Sequence, residues 1–417
     1  MSYTRNTLAL ALAFAGLPYA FAAEPLRLAD LVHEALAGNR EVLAARKQYE
    51  AARRRPAREG SLPDPILSLG YASNGGPLPG QGLGSDPTSN IGLMVAQEIP
   101  YPGKRKLRAD IASKDAEAEF QQYQAAQLSV RSRVVQAFHR LHHTYAALAI
   151  LAQGKDALSS VIRVSEARYV SGKTSQQEIF KAQTQLSLLE TRIIRMQQDR
   201  TAAEGEINSL LNRQPGAPVG EPIEEEPVAL SMTLEELLAK TAATSPELAR
   251  DRKMIQRGEL AVDLARKDFH PDYTVAAGYF NQGSMPAMYQ LRVDIPIRLH
   301  AESRQRPALE EQVDLLAGAR HTFEAAEQNL QFRIRETYAA AQTAQRLRNL
   351  YADTIRPQSR LTVDASLNAY QTGGADLPSV LNNVAAEIDL EEQLHEQELN
   401  FALALARLEE LTGVEIK

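Results

Sequence analysis

The chain carries the same order of local signals twice, and that constrains it more than any other feature. Residues 28–212 are answered, at an offset of roughly two hundred positions, by residues 234–413. LADLVHEALAGNREVL returns as LEELLAKTAATSPEL, Pro63-Asp64 as Pro271-Asp272, Gln97-Glu98-Ile99-Pro100 as Val293-Asp294-Ile295-Pro296, and Tyr169-Val170-Ser171-Gly172 as Tyr370-Gln371-Thr372-Gly373. Each copy sets two strand-like stretches between long helical ones. Two strands cannot bury their own edges, so the fold has to solve an edge problem.

Within 24–213, the first copy, a helical pattern runs from Leu26 to about Arg58 and stops at Pro63 and Pro65. Residues 66–72 then alternate, with Leu67, Leu69 and Tyr71 on one side. A Gly/Pro/Ser-rich loop covers 73–89, and residues 91–99 alternate again. After Tyr101-Pro102-Gly103 a helix extends to about Val170, with Gly154 a candidate interruption; Gly172 turns the chain, and a second helix returns to Leu211. Such lengths and spacings suggest coiled-coil packing rather than a compact globule. A Pro-rich acidic linker, 214–231, precedes the second copy, 232–417. Its last strand alternates most clearly, with Tyr289, Leu291 and Val293 opposing Gln290, Arg292 and Asp294. A long helix is expected from about Pro307, bending near Pro357 at the height of Gly154, and the chain turns at Gly373-Gly374.

Residues 1–23 read as a secretory signal: Arg5, an apolar stretch, Pro18, and an A-x-A site at Ala20-Phe21-Ala22. The chain has no cysteine, hence no disulfide and no lipid-accepting thiol. No other stretch approaches the ~18 apolar residues of a spanning helix, so a membrane could be crossed only by strands. The formal charge of −6, without a long basic run, offers nucleic acid no footprint.

A strand that crosses a bilayer must belong to a closed barrel, because lipid cannot satisfy an open edge. Single-chain barrels begin at ~8 strands. Four strands therefore need sister chains. Arg292 and Asp294 cost least facing a wet lumen beside Gln290, which turns Tyr289, Leu291 and Val293 toward lipid. The alternative is a soluble periplasmic coiled-coil scaffold whose hairpins pack on helices.

On the paired repeats, the strand ends 97–100 and 293–296, and the turns at Gly172 and Gly373, the chain resembles the TolC family of outer-membrane efflux channels. Within that family the run Glu98 to Arg105 resembles the branch serving cobalt–zinc–cadmium exporters. The resemblance implies a mainly helical fold: a homotrimer with a long helical barrel in the periplasm and a twelve-stranded transmembrane β-barrel, four strands from each protomer. It also implies a periplasmic adaptor docking near Gly172, Gly373 and Gly374, an inner-membrane pump of the resistance-nodulation-division class, and a passive duct for heavy-metal cations or, alternatively, organic drugs. An aspartate pair narrows the entrance of well-known members. Here the matching positions are Ser379 and Asn382, with Asp376 nearby, and the first copy has Glu178 and Lys181, so the constriction is mixed in charge. Glu178 and Lys181, one turn apart, could pair within or between protomers.

His139, His142 and His143 have a spacing that could offer a metal two imidazoles. No carboxylate completes the set, and a solvated face is the expected reading. Gly80, Gly82 and Gly84 open no helix, Gly103-Lys104 lacks a phosphate-loop pattern, and no nucleophile is arranged with a base. Neither an enzyme nor a cofactor is expected.

Overall fold

The computed structural model describes residues 25–74, 76–223 and 229–416. The leader expected at 1–23 lies outside them, as does part of the linker. Three short helices, α1 (Leu28–Gly38), α2 (Arg40–Ala52) and α3 (Arg55–Glu59), lead to strands β1 (Ile66–Ala72) and β2 (Asn90–Ile99). Helices α4 (Lys104–Val170) and α5 (Gln176–Leu210) follow. The second half repeats this order: α6 (Leu234–Thr244), α7 (Pro246–Lys267), β3 (Tyr273–Gln282), β4 (Met285–Asp294), α8 (Ala301–Leu350), a π-helical turn (Tyr351–Ile355), α9 (Arg356–Thr372) and α10 (Leu377–Thr412).

The single helix expected over 26–58 is broken. Asn39 caps a new start: its side chain accepts from the Glu41 N–H (2.9 Å) and donates to the Leu210 carbonyl (2.9 Å), so the break ties α2 to the end of α5. The helix expected from Pro307 begins at Ala301, six residues earlier, and carries the proline in its second turn.

The two long helices do not bend alike. Helix α4 has 67 residues, about 100 Å at ~1.5 Å per residue, and passes through Gly154 unbroken. A side chain at Gly154 would have its Cβ 2.5 Å from Ile388 Cδ1 of α10, so the glycine serves close packing rather than interruption. In the second half Pro357 lacks an N–H, and the ladder adjusts through the π turn just before it.

Three apolar clusters run along the bundle. Leu31, Val42, Val130, Phe138, Leu141 and Ile207 join α1, α2, α4 and α5. Leu151, Leu158, Leu189, Tyr370, Leu377 and Val384 join α4 and α5 to α9 and α10. Leu237, Leu330, Ile334, Phe401 and Leu408 join α6, α8 and α10. No described helix is long and apolar enough to cross a membrane. The four strands form one antiparallel sheet in the order β1-β2-β3-β4. Strands β1 and β4 each leave one edge without a strand partner among the described residues of the protomer.

Candidate functional site

Register decides what the sheet can face. Leu69 opposes Leu93, Leu93 opposes Tyr279, and Tyr279 opposes Tyr289, while Leu67, Val95, Ala277 and Leu291 form the next row. Opposed residues share a face, so one side of the sheet is apolar from edge to edge. No described helix covers it: Tyr289 and Leu291 are 79% and 77% exposed. The opposite side holds Gln290, Arg292 and Asp294, with Arg292 Nε and Asp294 Oδ2 3.0 Å apart. The same side also carries Ile66, Ser68, Met94, Glu98 and Met288. Phe280 lies over Gly92 and Gly278, where added Cβ atoms would approach its ring within 2.3 and 2.7 Å.

Where strands become helices, β2 and β3 are bolted together. The Tyr101 N–H donates to Asp272 Oδ1 (2.7 Å), and the Tyr101 ring stacks on His270 at 4.4 Å and 11°. Lys104, fully buried, places its ammonium 3.0 Å from Asp272, 3.1 Å from Asp268 and 2.8 Å from the His270 carbonyl. Burial works against the charge on Asp272, but the Tyr101 N–H and the Lys104 ammonium outweigh it and hold the carboxyl below the usual range. The sequence reading missed this lock. Its only local signal is a lysine opening a helix directly after glycine, and its partners lie some 160 residues away in the chain.

At the far end of the helices, Gly172 and Gly373 both adopt left-handed backbone, at φ 70° and 88°, and turn the two hairpins. Tyr370 is 2% exposed; its hydroxyl lies 2.9 Å from Ser165 Oγ and 3.5 Å from Glu178 Oε2. Arg168 donates to the Tyr370 carbonyl and lays its guanidinium over the ring at 4.7 Å. Glu178 is further held by the Thr174 hydroxyl. Within the protomer, then, Glu178 joins Tyr370 and Thr174 rather than Lys181, which is exposed. Asp376 caps α10, accepting from the Ser379 N–H (3.2 Å), and the Ser379 bonds hold its carboxyl low. Ser379 and Asn382 are exposed one turn apart.

The histidines do not form a solvated face. His139 is largely buried on α4, and burial, with the neighbouring His142, pushes its pKa down to about 4. His143 is also lowered, by burial and then by the charge of His395, and its Nδ1 is buried without a partner. His395 on α10 is raised by its 2.7 Å bond to Glu398. No group of three ligating side chains suited to a metal occurs among the described residues.

Residues 31–213 match the family of outer membrane efflux proteins. Solved structures extend the likeness over nearly the whole chain. CusC, solved in work on folding and transmembrane channel formation, superposes with a TM-score of 0.79 over 99% of this chain and 98% of its own, at 15% identity. The fold is that of outer-membrane channels. The MtrE outer-membrane channel of Neisseria gonorrhoeae gives 0.75 at 17% identity (94% and 90% covered), and the outer-membrane protein VceC of Vibrio cholerae 0.71 at 18% (90% and 96%). No curated protein sequence matches the chain.

Proposed function

We propose that the chain is the outer-membrane channel subunit of a tripartite efflux system. It arose by duplication and works as a homotrimer whose twelve strands close a barrel above a periplasmic helical tunnel. One observation carries the reading: a four-stranded sheet with a continuous, uncovered apolar face and two unpaired edges. Strands β2, β3 and β4, of 10 residues each at ~3.3 Å rise and tilted by ~45°, span about 23 Å, close to the ~25 Å apolar band of outer-membrane barrels; β1, of 7 residues, is shorter. Tyr289, Leu291 and Val293 face lipid in this arrangement, and Gln290, Arg292 and Asp294 line the lumen. The reverse would place Arg292 in lipid at a cost of ~2–4 kcal/mol near mid-depth.

The hairpin tips at Gly172, Gly373 and Gly374 receive the periplasmic adaptor, which connects the duct to an inner-membrane pump of the resistance-nodulation-division class. Glu178, Lys181, Asp376, Ser379 and Asn382 ring the entrance. Transport through the duct is passive. A heavy-metal cation is the proposed cargo on the resemblance of Glu98 to Arg105; Lys104 in that run serves the junction, so it adds no contact to cargo.

Extraction tests the channel. A trimer that requires detergent supports it, and a monomer recovered from the periplasm in plain buffer sinks it. Deleting the chain and comparing zinc, cobalt and copper tolerance with tolerance to organic drugs tests the cargo: loss confined to the drugs overturns the metal reading.

A further inference from the structure

The lock between β2 and β3 has an unused counterpart at the sheet's two outer edges. Matching Pro271-Asp272 with Pro63-Asp64 sets Leu62 and Asp64 in the places of His270 and Asp272. Matching Ile99-Pro100 with Ile295-Pro296 sets Ile297 and His300 in the places of Tyr101 and Lys104. Within one protomer these counterparts stay apart, since β1 and β4 lie at opposite edges. Each is correspondingly bare. Leu62 is 43% and Ile297 81% exposed, and Asp64 is exposed with no partner among the described residues.

On the channel reading β4 of one protomer pairs with β1 of the next; resting on it, we infer that Asp64 accepts the N–H of Ile297 of the neighbouring protomer, as Asp272 accepts that of Tyr101. The directions agree: with four alternating strands per chain, β4 meets the next β1 antiparallel. The chemistry changes in a coordinated way. Where Tyr101 stacks on His270 inside the chain, Ile297 meets Leu62 between chains, replacing an aromatic pair by an aliphatic one. Where Lys104 supplies a permanent cation, His300 supplies an imidazole beside Asp64. The partner is a second copy of this chain, joined head to tail, and such contacts form a ring when the rotation closes.

Because the chain has no cysteine, paired thiols give a clean test. A disulfide needs Cα atoms ~4.4–6.8 Å apart. Detergent-extracted Leu62→Cys/Ile297→Cys protein, oxidised with copper-phenanthroline, is expected to give a ladder of covalent dimers and trimers on a denaturing gel. Tyr101→Cys/His270→Cys should close within the monomer and give no ladder. If the intrachain pair closes and the protein remains trimeric by size, yet Leu62→Cys/Ile297→Cys yields no ladder, the seam is wrong and the channel reading survives. A wild-type monomer in detergent overturns both. Asp64→Leu should lower the temperature of trimer dissociation by more than about 3 °C, while Asp64→Asn, which keeps an acceptor oxygen, should not. Equal behaviour of the two variants removes Asp64 from the seam.

Discussion

Tyr370 and Tyr169 each stand three residues before a turn glycine, yet the first is 2% exposed and the second 46%. The difference lies in what surrounds them. Tyr370 meets Ser165, Arg168 and Glu178 of the first half. The positions that match these in the second half are Ser366, Ala369 and Ser379, which hold no charge. The junction repeats the pattern, with Lys104 and His270 inside the chain answered by His300 and Leu62 at its outer edges. At these two places the contacts between the halves of one protomer are ionic and aromatic, and apart from Asp64, the match of Asp272, their counterparts carry no permanent charge. For the proposed trimer this contrast predicts that the protomer is the stiff unit and that the entrance opens along the seams between protomers.

The largest test of this contrast is Lys104→Ala. The change leaves Asp272 and the His270 carbonyl facing a cavity, and removing one partner of a buried ion pair costs ~3–5 kcal/mol. Asp268 is half-exposed and can turn to water, so about 3 kcal/mol is expected in equilibrium unfolding. His300→Ala, at the matched position, should change protomer stability by under ~0.5 kcal/mol. Equal losses would show that the halves are held alike.

Next comes Gly154→Ala. The new methyl group would overlap Ile388, and overpacking of this kind costs ~1–3 kcal/mol. Pairing it with Ile388→Val should recover part of the loss. A Gly154→Ala protein as stable as wild type would mean that α4 and α10 separate easily and that glycine is not required at their contact.

The strands and turns were legible because their signals are local. Alternation over Ile91–Ile99 and Tyr289–Asp294, and glycine at both hairpin tips, depend on neighbours in sequence. The helix breaks were not. Gly154 reads as an interruption on propensity alone, but α10 packs an isoleucine against it and tertiary contact prevails. Asn39 reads as mid-helix because apolar residues continue on both sides, whereas its cap is completed by Leu210 at the end of α5. Lys104 was visible only as part of a family-like run, and the burial of His143 depends on α10, whose His395 lies beside it. The branch-specific run and the site at the junction are the same residues, and only their distant partners reveal the second role.

The smallest expected effect is the most selective. Tyr370→Phe keeps the ring under the Arg168 guanidinium and removes only the hydroxyl shared with Ser165 and Glu178. A lost hydrogen bond of this kind is worth about 1 kcal/mol, and Ser165, which still donates to the Val161 carbonyl (2.9 Å), is not left unsatisfied. Global unfolding would scarcely register it, but the closed entrance should, because the clamp lies at the helix tips. Single-channel recording in a planar bilayer should show more frequent openings for Tyr370→Phe and no change for Tyr169→Phe, whose hydroxyl has no hydrogen-bond partner among the described residues of the protomer. If Tyr169→Phe opened the channel as often, Tyr169 would have to be bonded across protomers as firmly as Tyr370 is within one, and the stiff-protomer argument would fail at the tips.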